Sequence, residues 1–484
     1  MPLPSPATLG AALLLLPALG CASAAGVPSA ASSVVAPSPL AAAAPAPTPS
    51  VPPAPPDSVR AANVAVFDAA WRIVHETHFD STFNGVDWLA LRDELRPQAE
   101  AARSEDELRR VVRAMLLRLR QSHFALIPRE AADGMEAAGR EATKGADAAA
   151  GPGDAGLSLR IVGDEFVVAR VDADGGGARA GVKPGWIVRK VGDVALADLR
   201  ARMPSEMGER QRRMRAASLA TALFGGAAGT TARAEFVDGS GRVVTPAIVR
   251  SPERGEPVKF GNLPPIHTSF ERERVAAPGG RSVGVIRFNA WMASVARPFD
   301  DAVDAFRGAD GIVIDLRGNG GGVGGLVMGI AGHFLTTHDT LGTMRTRRSD
   351  LRFVANPRLV SRSGARVHPY DGPVVVLVDV LSASTSEVFA GGLQGIGRAR
   401  IVGDTTAGMA LPALMERLPN RDVLYHAFAD FFTPRGERLE GRGVVPDEVV
   451  PLTREALLAG RDPQLEAALR WIASERGKKA GRTN

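Results

Sequence analysis

The stretch from Gly372 to Met409 constrains the fold most, because it reads as a buried strand, a polar turn and a helix in succession. Val and Leu dominate Val374 to Leu381, which is typical of a strand buried on both faces. Apolar residues then recur at helical spacing, and Arg400 to Gly403 predicts another short strand. A strand–helix–strand unit of this kind predicts neighbouring parallel strands and an α/β fold.

A small hydroxyl residue, Ser384, lies where this buried strand turns into the helix. The start of a helix offers free backbone N–H groups and a partial positive charge, which suit a nucleophile whose transition state carries an oxyanion. The alternative is structural, since Ser384 and Glu387 also fit a helix-capping box.

The same alternation of strands and helices runs from Arg281 to Thr453, with the site expected at the carboxyl ends of the strands. One buried strand, GIVIDLR, ends in the glycine-rich run Gly318 to Gly322, and a helix is predicted from Leu326 to Phe334. No Gly-Lys-Ser/Thr follows these glycines, so an oxyanion fits their backbone N–H groups better than a phosphate.

Composition excludes several other classes. The 484 residues predict two to four domains, and 45% hydrophobic and 23% charged residues are ordinary for a globular protein. The net charge of +5 is spread over scattered arginines without interleaved aromatics, which argues against nucleic-acid binding. With Cys21 as the only cysteine, no disulfide can form within the chain and no cysteine-based zinc site is expected.

The amino terminus predicts export. Residues 1–25 resemble a signal peptide whose apolar stretch is too short to span a bilayer, although it lacks the usual early Lys or Arg. Cleavage after Ala22-Ser23-Ala24 and lipidation of Cys21 in a lipobox-like setting both remain open. Residues 26–57 are rich in Ala, Pro and Ser and predict a flexible tether.

Residues 58–150 predict a helical domain followed by an Ala/Gly-rich connector. A capping box of Ser104 and Glu107 starts a periodic helix that ends at Arg120-Gln121-Ser122-His123. His75 and His78 lie one turn apart, but without a third ligand nearby no metal site is expected.

Residues 151–255 read as short strands separated by glycine turns. The run Gly156-Leu157-Ser158-Leu159, followed by AGVKPGWIVRKVGD, resembles PDZ domains of bacterial proteases. The resemblance implies that these four residues bind a peptide carboxylate and that the peptide adds a strand to the sheet. A β-domain that serves only as a spacer is the alternative.

Four motifs in order, namely DLRGNGGG, VLVDVLSASTSEVFAGGLQ, GRARIVGDTTAG and LEGRGVVPD, together resemble the C-terminal processing peptidases. This superfamily of serine peptidases includes the tail-specific proteases and the tricorn core. The resemblance implies a multidomain α/β protein with a helical amino-terminal domain, a PDZ-like domain and a crotonase-like peptidase core over residues 256–457. Residues 458–484 then form a carboxyl-terminal helix and polar tail.

The sequence departs from the tail-specific proteases, whose Ser–Lys dyad places a lysine about 25 residues after the serine. That position is Met409, and no lysine lies between Phe260 and Gly477. The tricorn-like branch instead uses Ser, His and Glu with a second Ser beside the His. By this resemblance Ser384 is the nucleophile, His123 the base, Glu440 the orienting carboxylate and Ser122 its neighbour.

The resemblance implies an exported serine endopeptidase acting on unfolded or carboxyl-terminally presented polypeptides, without a metal or organic cofactor. Thr385 and Gly320-Gly321 would supply the oxyanion hole, with Gly321 favoured. Activity would fall as the pH drops through the pKa of His123, about 6.5 if unperturbed. His426 is the rival base, whereas His123 as a helix cap and Glu440 as a turn residue are the structural alternatives.

Two other functions remain possible at this stage. The missing lysine motivates an inactive PDZ scaffold, and the core also suits a small-molecule-binding relative of the same fold. As an enzyme, the protein would be periplasmic or lipid-anchored, with polypeptide substrates, no nucleic-acid partner and membrane contact only through a lipid on Cys21. Nothing in the sequence fixes an oligomeric state.

Overall fold

The computed structural model describes residues 13–14, 54–131, 151–203, 207–258 and 266–481. Cys21, the alternative cleavage site at Ala22-Ser23-Ala24 and nearly all of the predicted tether lie outside the described residues, as does most of the connector. No helix among the described residues is long and apolar enough to cross a membrane.

The described helices are α1 (Asp57–Thr77), α2 (Trp88–Glu100), α3 (Glu105–Leu117), α4 (Gly176–Arg179), α5 (Leu196–Ala201), α6 (Glu209–Ala222), α7 (Ala293–Phe306), α8 (Leu326–Ala331), α9 (Thr385–Gly395), α10 (Arg454–Leu458) and α11 (Pro463–Gly481), with a short 3₁₀ turn at Phe83–Gly85.

The described strands are β1 (Leu13–Leu14), β2 (Ala125–Ile127), β3 (Pro152–Asp154), β4 (Leu157–Val162), β5 (Glu165–Val171), β6 (Ile187–Val191), β7 (Val194–Ala195), β8 (Gly226–Ala227), β9 (Thr231–Val237), β10 (Val243–Val244), β11 (Ala247–Val249), β12 (Ser251–Pro252), β13 (Glu256–Val258), β14 (Ile266–Thr268), β15 (Phe270–Ala277), β16 (Arg281–Phe288), β17 (Gly311–Asp315), β18 (Gly322–Val323), β19 (Asp339–Thr346), β20 (Asp350–Ala355), β21 (Val374–Val378), β22 (Arg400–Gly403), β23 (Ala413–Arg417), β24 (Val423–Ala427), β25 (Ala429–Phe432) and β26 (Glu448–Val449).

The central sheet has the strand order β15-β16-β17-β21-β22-β26. Strands β16, β17, β21, β22 and β26 are parallel, whereas β15 pairs antiparallel with β16 at one edge. All five residues of β17 and all five of β21 are buried, as the unbroken apolar runs predict. The glycine-rich loop after β17 and the serine turn after β21 therefore meet at the same carboxyl edge of the sheet.

The predicted helices around this sheet form with shifted ends. The helix that follows the glycine-rich loop spans α8 and ends at Ala331, short of the expected Phe334, because Gly332 already closes it. The helix before β17 begins at Ala293, earlier than the polar pattern indicates, and accommodates Pro298 in its interior.

The amino-terminal region is helical, as expected. Helices α1, α2 and α3 share one apolar cluster that extends to Leu418 and Leu424 of the adjoining β23–β24 hairpin. A buried bidentate ion pair reinforces this junction, since Arg109 of α3 donates to both carboxylate oxygens of Asp422 at 2.9 and 2.8 Å. Strand β2 continues the contact by pairing antiparallel with β24. The end of the helical region is thereby fixed against the core.

A separate sheet with the order β10-β9-β6-β5-β4 covers the region predicted as PDZ-like. Helix α6 packs beside its edge strand β4, and their apolar cluster includes Leu381, Ala383, Ala407 and Met409 of the core. The mixed α/β class is confirmed, whereas the PDZ-like and crotonase-like assignments and the domain limits stay predictions.

Strand β1 lies between two edges of the core. Its backbone pairs antiparallel with Gly322 and Val323 of β18 on one side and with Ala413 of β23 on the other. The gap between β18 and β23 is therefore one extended strand wide.

Candidate active site

Ser384 occupies a strained turn at the start of α9. Its φ of 59° and ψ of −120° are unfavourable for a residue with a side chain, so the surroundings must hold it. The Ser384 N–H donates to the Glu387 carboxylate at 2.9 Å and to the Met409 carbonyl at 2.8 Å. Glu387 thus caps the helix as the sequence indicates, while the Ser384 hydroxyl faces away from that contact.

The Ser384 hydroxyl faces His123. Ser384 Oγ lies 3.4 Å from His123 Nε2, and both side chains are buried. His123 itself has a positive φ of 61°, which turns its ring out of the loop after α3 toward α9. Although 261 residues separate them in the chain, packing of the helical region against the core brings the two side chains together.

Ser122 links the imidazole to Glu440. Ser122 Oγ donates to Glu440 Oε2 at 2.8 Å and lies 2.6 Å from His123 Nδ1. Because the single hydroxyl hydrogen goes to the carboxylate, Nδ1 must be the protonated nitrogen that donates to Ser122. The lone pair on His123 Nε2 then faces Ser384, which is the tautomer that a general base requires.

Glu440 is held by backbone as well as by Ser122. Its Oε1 accepts from the Ser122 N–H at 2.8 Å, and its Oε2 also accepts from the Ala410 N–H at 3.0 Å. Burial raises the pKa of Glu440 to about 7 against the opposing effect of these hydrogen bonds, and the nearby Glu387 carboxylate adds to the rise. Burial lowers the pKa of His123 to about 3, so its imidazole is neutral near neutral pH.

The predicted oxyanion donors surround Ser384 unequally. The Gly321 N–H donates to Asn319 Oδ1 at 3.0 Å and is thereby occupied. Within the part of the chain that the structure describes, the N–H groups of Gly320 and Thr385 have no hydrogen-bond partner. An oxyanion therefore finds free donors at Gly320 and Thr385, whereas Gly321 would first have to release Asn319.

Met409 takes the place where the tail-specific pattern puts lysine. Its side chain is 5% exposed and packs in the apolar cluster shared with the β4–α6 unit. Its backbone contributes to the site, since the Met409 N–H donates to Glu387 at 3.0 Å and its carbonyl accepts from Ser384.

The remaining histidines that the sequence singles out lie elsewhere. His426 contacts Thr77 Oγ1 at 3.1 Å and Glu416 at 3.2 Å, rather than Ser384. His78 Nε2 lies 2.9 Å from Gln121 Oε1 and so supports the loop that carries Ser122 and His123. Among the described residues no group of three His, Cys, Asp or Glu side chains is placed to bind a metal.

Sequence reasoning missed Asp379. Its Oδ1 accepts from the N–H groups of Gly318, Leu381 and Ser382 at 2.9 to 3.1 Å, which ties the glycine-rich loop to the serine turn. Its Oδ2 pairs with Arg160 of β4 at 2.5 Å. An acidic residue directly after a fully apolar strand was the available signal, because a buried carboxylate there needs several donors.

The four residues predicted to bind a peptide carboxylate lie at the start of β4. Gly156 has a φ of 65°, and its N–H donates to Asp154 at 2.8 Å. Farther along β4, the Leu159 N–H donates to Thr221 Oγ1 at 3.3 Å, and the Ile161 carbonyl accepts from Arg213 at 2.8 Å. Side chains of α6 therefore already bond part of the edge at which a peptide strand would add.

A buried serine, a neutral histidine and a hydrogen-bonded carboxylate beside unused backbone donors define a serine-type hydrolase. Comparison with known proteins agrees with this class. Residues 282–450 match the model of peptidase family S41, and residues 61–117 match the tricorn protease C1 domain.

Curated relatives carry a consistent name. The chain is 26% identical over 409 residues to the carboxyl-terminal-processing protease of Synechocystis sp., covering 83% of this chain and 84% of the relative. It is 25% identical over 430 residues to the chloroplastic carboxyl-terminal-processing peptidase 3 of Arabidopsis thaliana, covering 86% and 76%. The chain belongs to the C-terminal processing peptidase superfamily and is a serine-type peptidase.

Solved structures share the fold. The photosystem II D1 C-terminal processing protease aligns with a TM-score of 0.53 at 23% identity, covering 84% of this chain and 96% of that one. Mature CPAF aligns with a TM-score of 0.57 at 12% identity, covering 86% and 98%.

Proposed function

We propose that this protein is an exported serine endopeptidase that hydrolyses unfolded or carboxyl-terminally presented polypeptides. The observation that carries the proposal is the continuous hydrogen-bonded series from Ser384 through His123 and Ser122 to Glu440. The Oγ–Nε2 distance of 3.4 Å is loose, as is common before substrate binds.

In the proposed reaction, Ser384 Oγ attacks the scissile carbonyl carbon while its proton moves to His123 Nε2. The resulting imidazolium donates through Nδ1 to Ser122, whose hydroxyl donates to the ionised Glu440. The carboxylate thus stabilises the cation at a distance of one hydroxyl group. His123 then returns the proton to the leaving amine, and water hydrolyses the acyl-enzyme with His123 again as base.

The negative charge on the tetrahedral oxygen requires aligned donors. Gly320 N–H and Thr385 N–H are free to serve, and Thr385 also lies at the positive end of α9. Loss of one such donor costs about 10²- to 10³-fold in rate. Gly321 joins them if substrate binding displaces the Asn319 side chain.

An extended peptide fits beside the nucleophile. The gap between β18 and β23 accepts one antiparallel strand, as the pairing of β1 demonstrates, and β18 directly follows Gly320 and Gly321. Strand addition supplies main-chain hydrogen bonds without regard to side chains, which suits unfolded substrates. The PDZ-like sheet would present such chains, and export, with lipidation at Cys21 or cleavage near Ala24, rests on the sequence alone.

A fluorophosphonate probe tests the proposal directly. An activated Ser384 reacts covalently, so the parent should label while Ser384→Ala should neither label nor cleave a denatured protein. Ser386→Ala is the matched control on the same turn, because Ser386 Oγ bonds the Asn319 carbonyl and Trp291 rather than His123. Absence of labelling in the folded parent would favour a scaffold or small-molecule carrier instead.

A further inference from the structure

A cavity of about 450 Å³ lies beside His123, between the end of α3, helix α6 and the loop that carries Met409. Its volume is within the usual range for a site that binds a small ligand or peptide segment. Much of its wall is apolar, with contributions from Leu116, Phe124, Met214, Leu219, Ala407 and Met409.

Two of the charged side chains that line this cavity are already paired. Glu209 forms an ion pair with Arg212 at 2.7 Å. Arg210 donates to the carbonyl oxygens of Gly441 and Arg442, both at 2.7 Å. Neither group is therefore free to bind an incoming charge.

Two other cations in the wall, Arg120 and Arg215, have no acidic partner among the described side chains. Arg215 is half-buried on α6, and burial together with the nearby positive charge of Arg113 lowers its pKa. A partly desolvated guanidinium with only cations for neighbours favours an anion, above all a carboxylate, which it can bind with two hydrogen bonds.

The chemistry of the proposed reaction sets which end of a substrate reaches this cavity. His123 must protonate the leaving amine, so the chain on the carboxyl-terminal side of the scissile bond passes close to the imidazole. His123 is itself part of the cavity wall. The leaving segment is therefore directed into the cavity, where its free terminus would meet Arg215.

We propose that this cavity binds the carboxyl-terminal end of the polypeptide being cleaved, with the terminal carboxylate paired to Arg215 and apolar side chains against Met214 and Met409. This inference rests on the proposed peptidase function and deepens it. Substrates are then cut a few residues from a free, apolar carboxyl terminus.

Two otherwise identical quenched fluorescent peptides test the inference, one with a free terminal carboxylate and one with a terminal carboxamide. The parent should cleave the acid with a kcat/KM about 10- to 100-fold higher, the usual worth of a charge-assisted hydrogen-bonded pair. Arg215→Gln should lower the value for the acid to that for the amide. Arg212→Gln, on the same helix but paired with Glu209, should retain the preference.

Binding to the Ser384→Ala protein gives a readout that does not need turnover, and it should show the same acid-to-amide ratio in Kd. Equal values for acid and amide in the parent would overturn the inference, as would a preference that Arg215→Gln retains. A third peptide, amidated but ending in Asp, should behave as the amide does; cleavage equal to that of the acid would contradict recognition of a chain terminus. Absence of both labelling and cleavage with an intact binding preference would count against the peptidase function alone.

Discussion

Glu440→Gln is expected to remove the acidic limb of the pH–rate profile. Burial holds the pKa of His123 near 3, so the imidazole is neutral throughout an ordinary assay range. Burial raises the pKa of Glu440 to about 7, which makes this carboxylate the group that titrates. Only its ionised form stabilises the imidazolium, so activity should rise as the pH increases through about 7. The expectation from an unperturbed histidine, about 6.5, is thereby reassigned to another residue.

The size of the effect follows from the pKa. At pH 5 about 1% of a carboxylate with a pKa of about 7 is ionised, so kcat/KM should fall about 10²-fold between pH 8 and pH 5. Glu440→Gln should be flat over this interval. Its plateau should lie about 10²- to 10⁴-fold below that of the parent, the upper figure being the loss when the carboxylate of a Ser-His-Asp triad is neutralised.

The assay is kcat/KM for a quenched denatured protein from pH 5 to pH 9, because this ratio reports groups of the free enzyme. Glu437→Gln, an exchange in the same loop at a residue paired with Arg442, is the matched control and should keep the parental profile. A limb near pH 7 that persists in Glu440→Gln would refute the assignment.

Stability offers an independent check on the same group. The folded-state pKa of Glu440 lies above the ordinary value of 4.5, so the folded protein binds the additional proton and loses stability as the pH rises from 4.5 to about 7. The full loss amounts to about 3 kcal/mol. His123 has the opposite sign, since its lowered pKa makes stability increase with pH up to about 6.5. The difference between parent and Glu440→Gln in urea unfolding isolates the glutamate, and a difference independent of pH would contradict the raised pKa.

Three further predictions concern other parts of the chain. Ser122→Ala should lower kcat about 10- to 10³-fold with little change in KM, because it removes the hydroxyl bridge while Glu440 still accepts the backbone N–H of residue 122; an unchanged kcat would exclude the bridge. Arg109→Met should cost about 3–5 kcal/mol in urea unfolding because it leaves the buried Asp422 without its cation, whereas Arg110→Met, at an exposed position on the same helix, should change stability by less than about 0.5 kcal/mol. Cys21→Ala should abolish metabolic lipid labelling and shift the mature mass; an unchanged mass would support cleavage near Ala24.

The sequence predicted those parts of the site that depend on local pattern. The apolar strand before Ser384 and the capping Glu387 place a hydroxyl at the start of a helix by local preferences alone. The pairing of Ser122-His123 with Glu440 came from resemblance, because residues so far apart in the chain leave no periodic signal. Their meeting depends on the helical region packing on the β23–β24 hairpin, including the Arg109–Asp422 pair.

Burial and competing partners could not be predicted in this way. The pKa values of His123 and Glu440 depend on complete desolvation, which only the assembled domains produce. Likewise, Asn319 occupies the Gly321 N–H through a side-chain orientation that no motif specifies. The sequence therefore named the right loop for the oxyanion but could not rank Gly320 above Gly321.

The same loop explains how the site forms without the expected lysine. Gly408 and Met409 donate their N–H groups to Glu387, and the next residue, Ala410, donates to Glu440. The Met409 carbonyl in turn accepts from Ser384, so backbone groups hold both the strained serine turn and the orienting carboxylate. Because these contacts do not involve the side chain of residue 409, an apolar methionine can pack against the β4–α6 unit there. The base is then supplied by His123, from a different region of the chain.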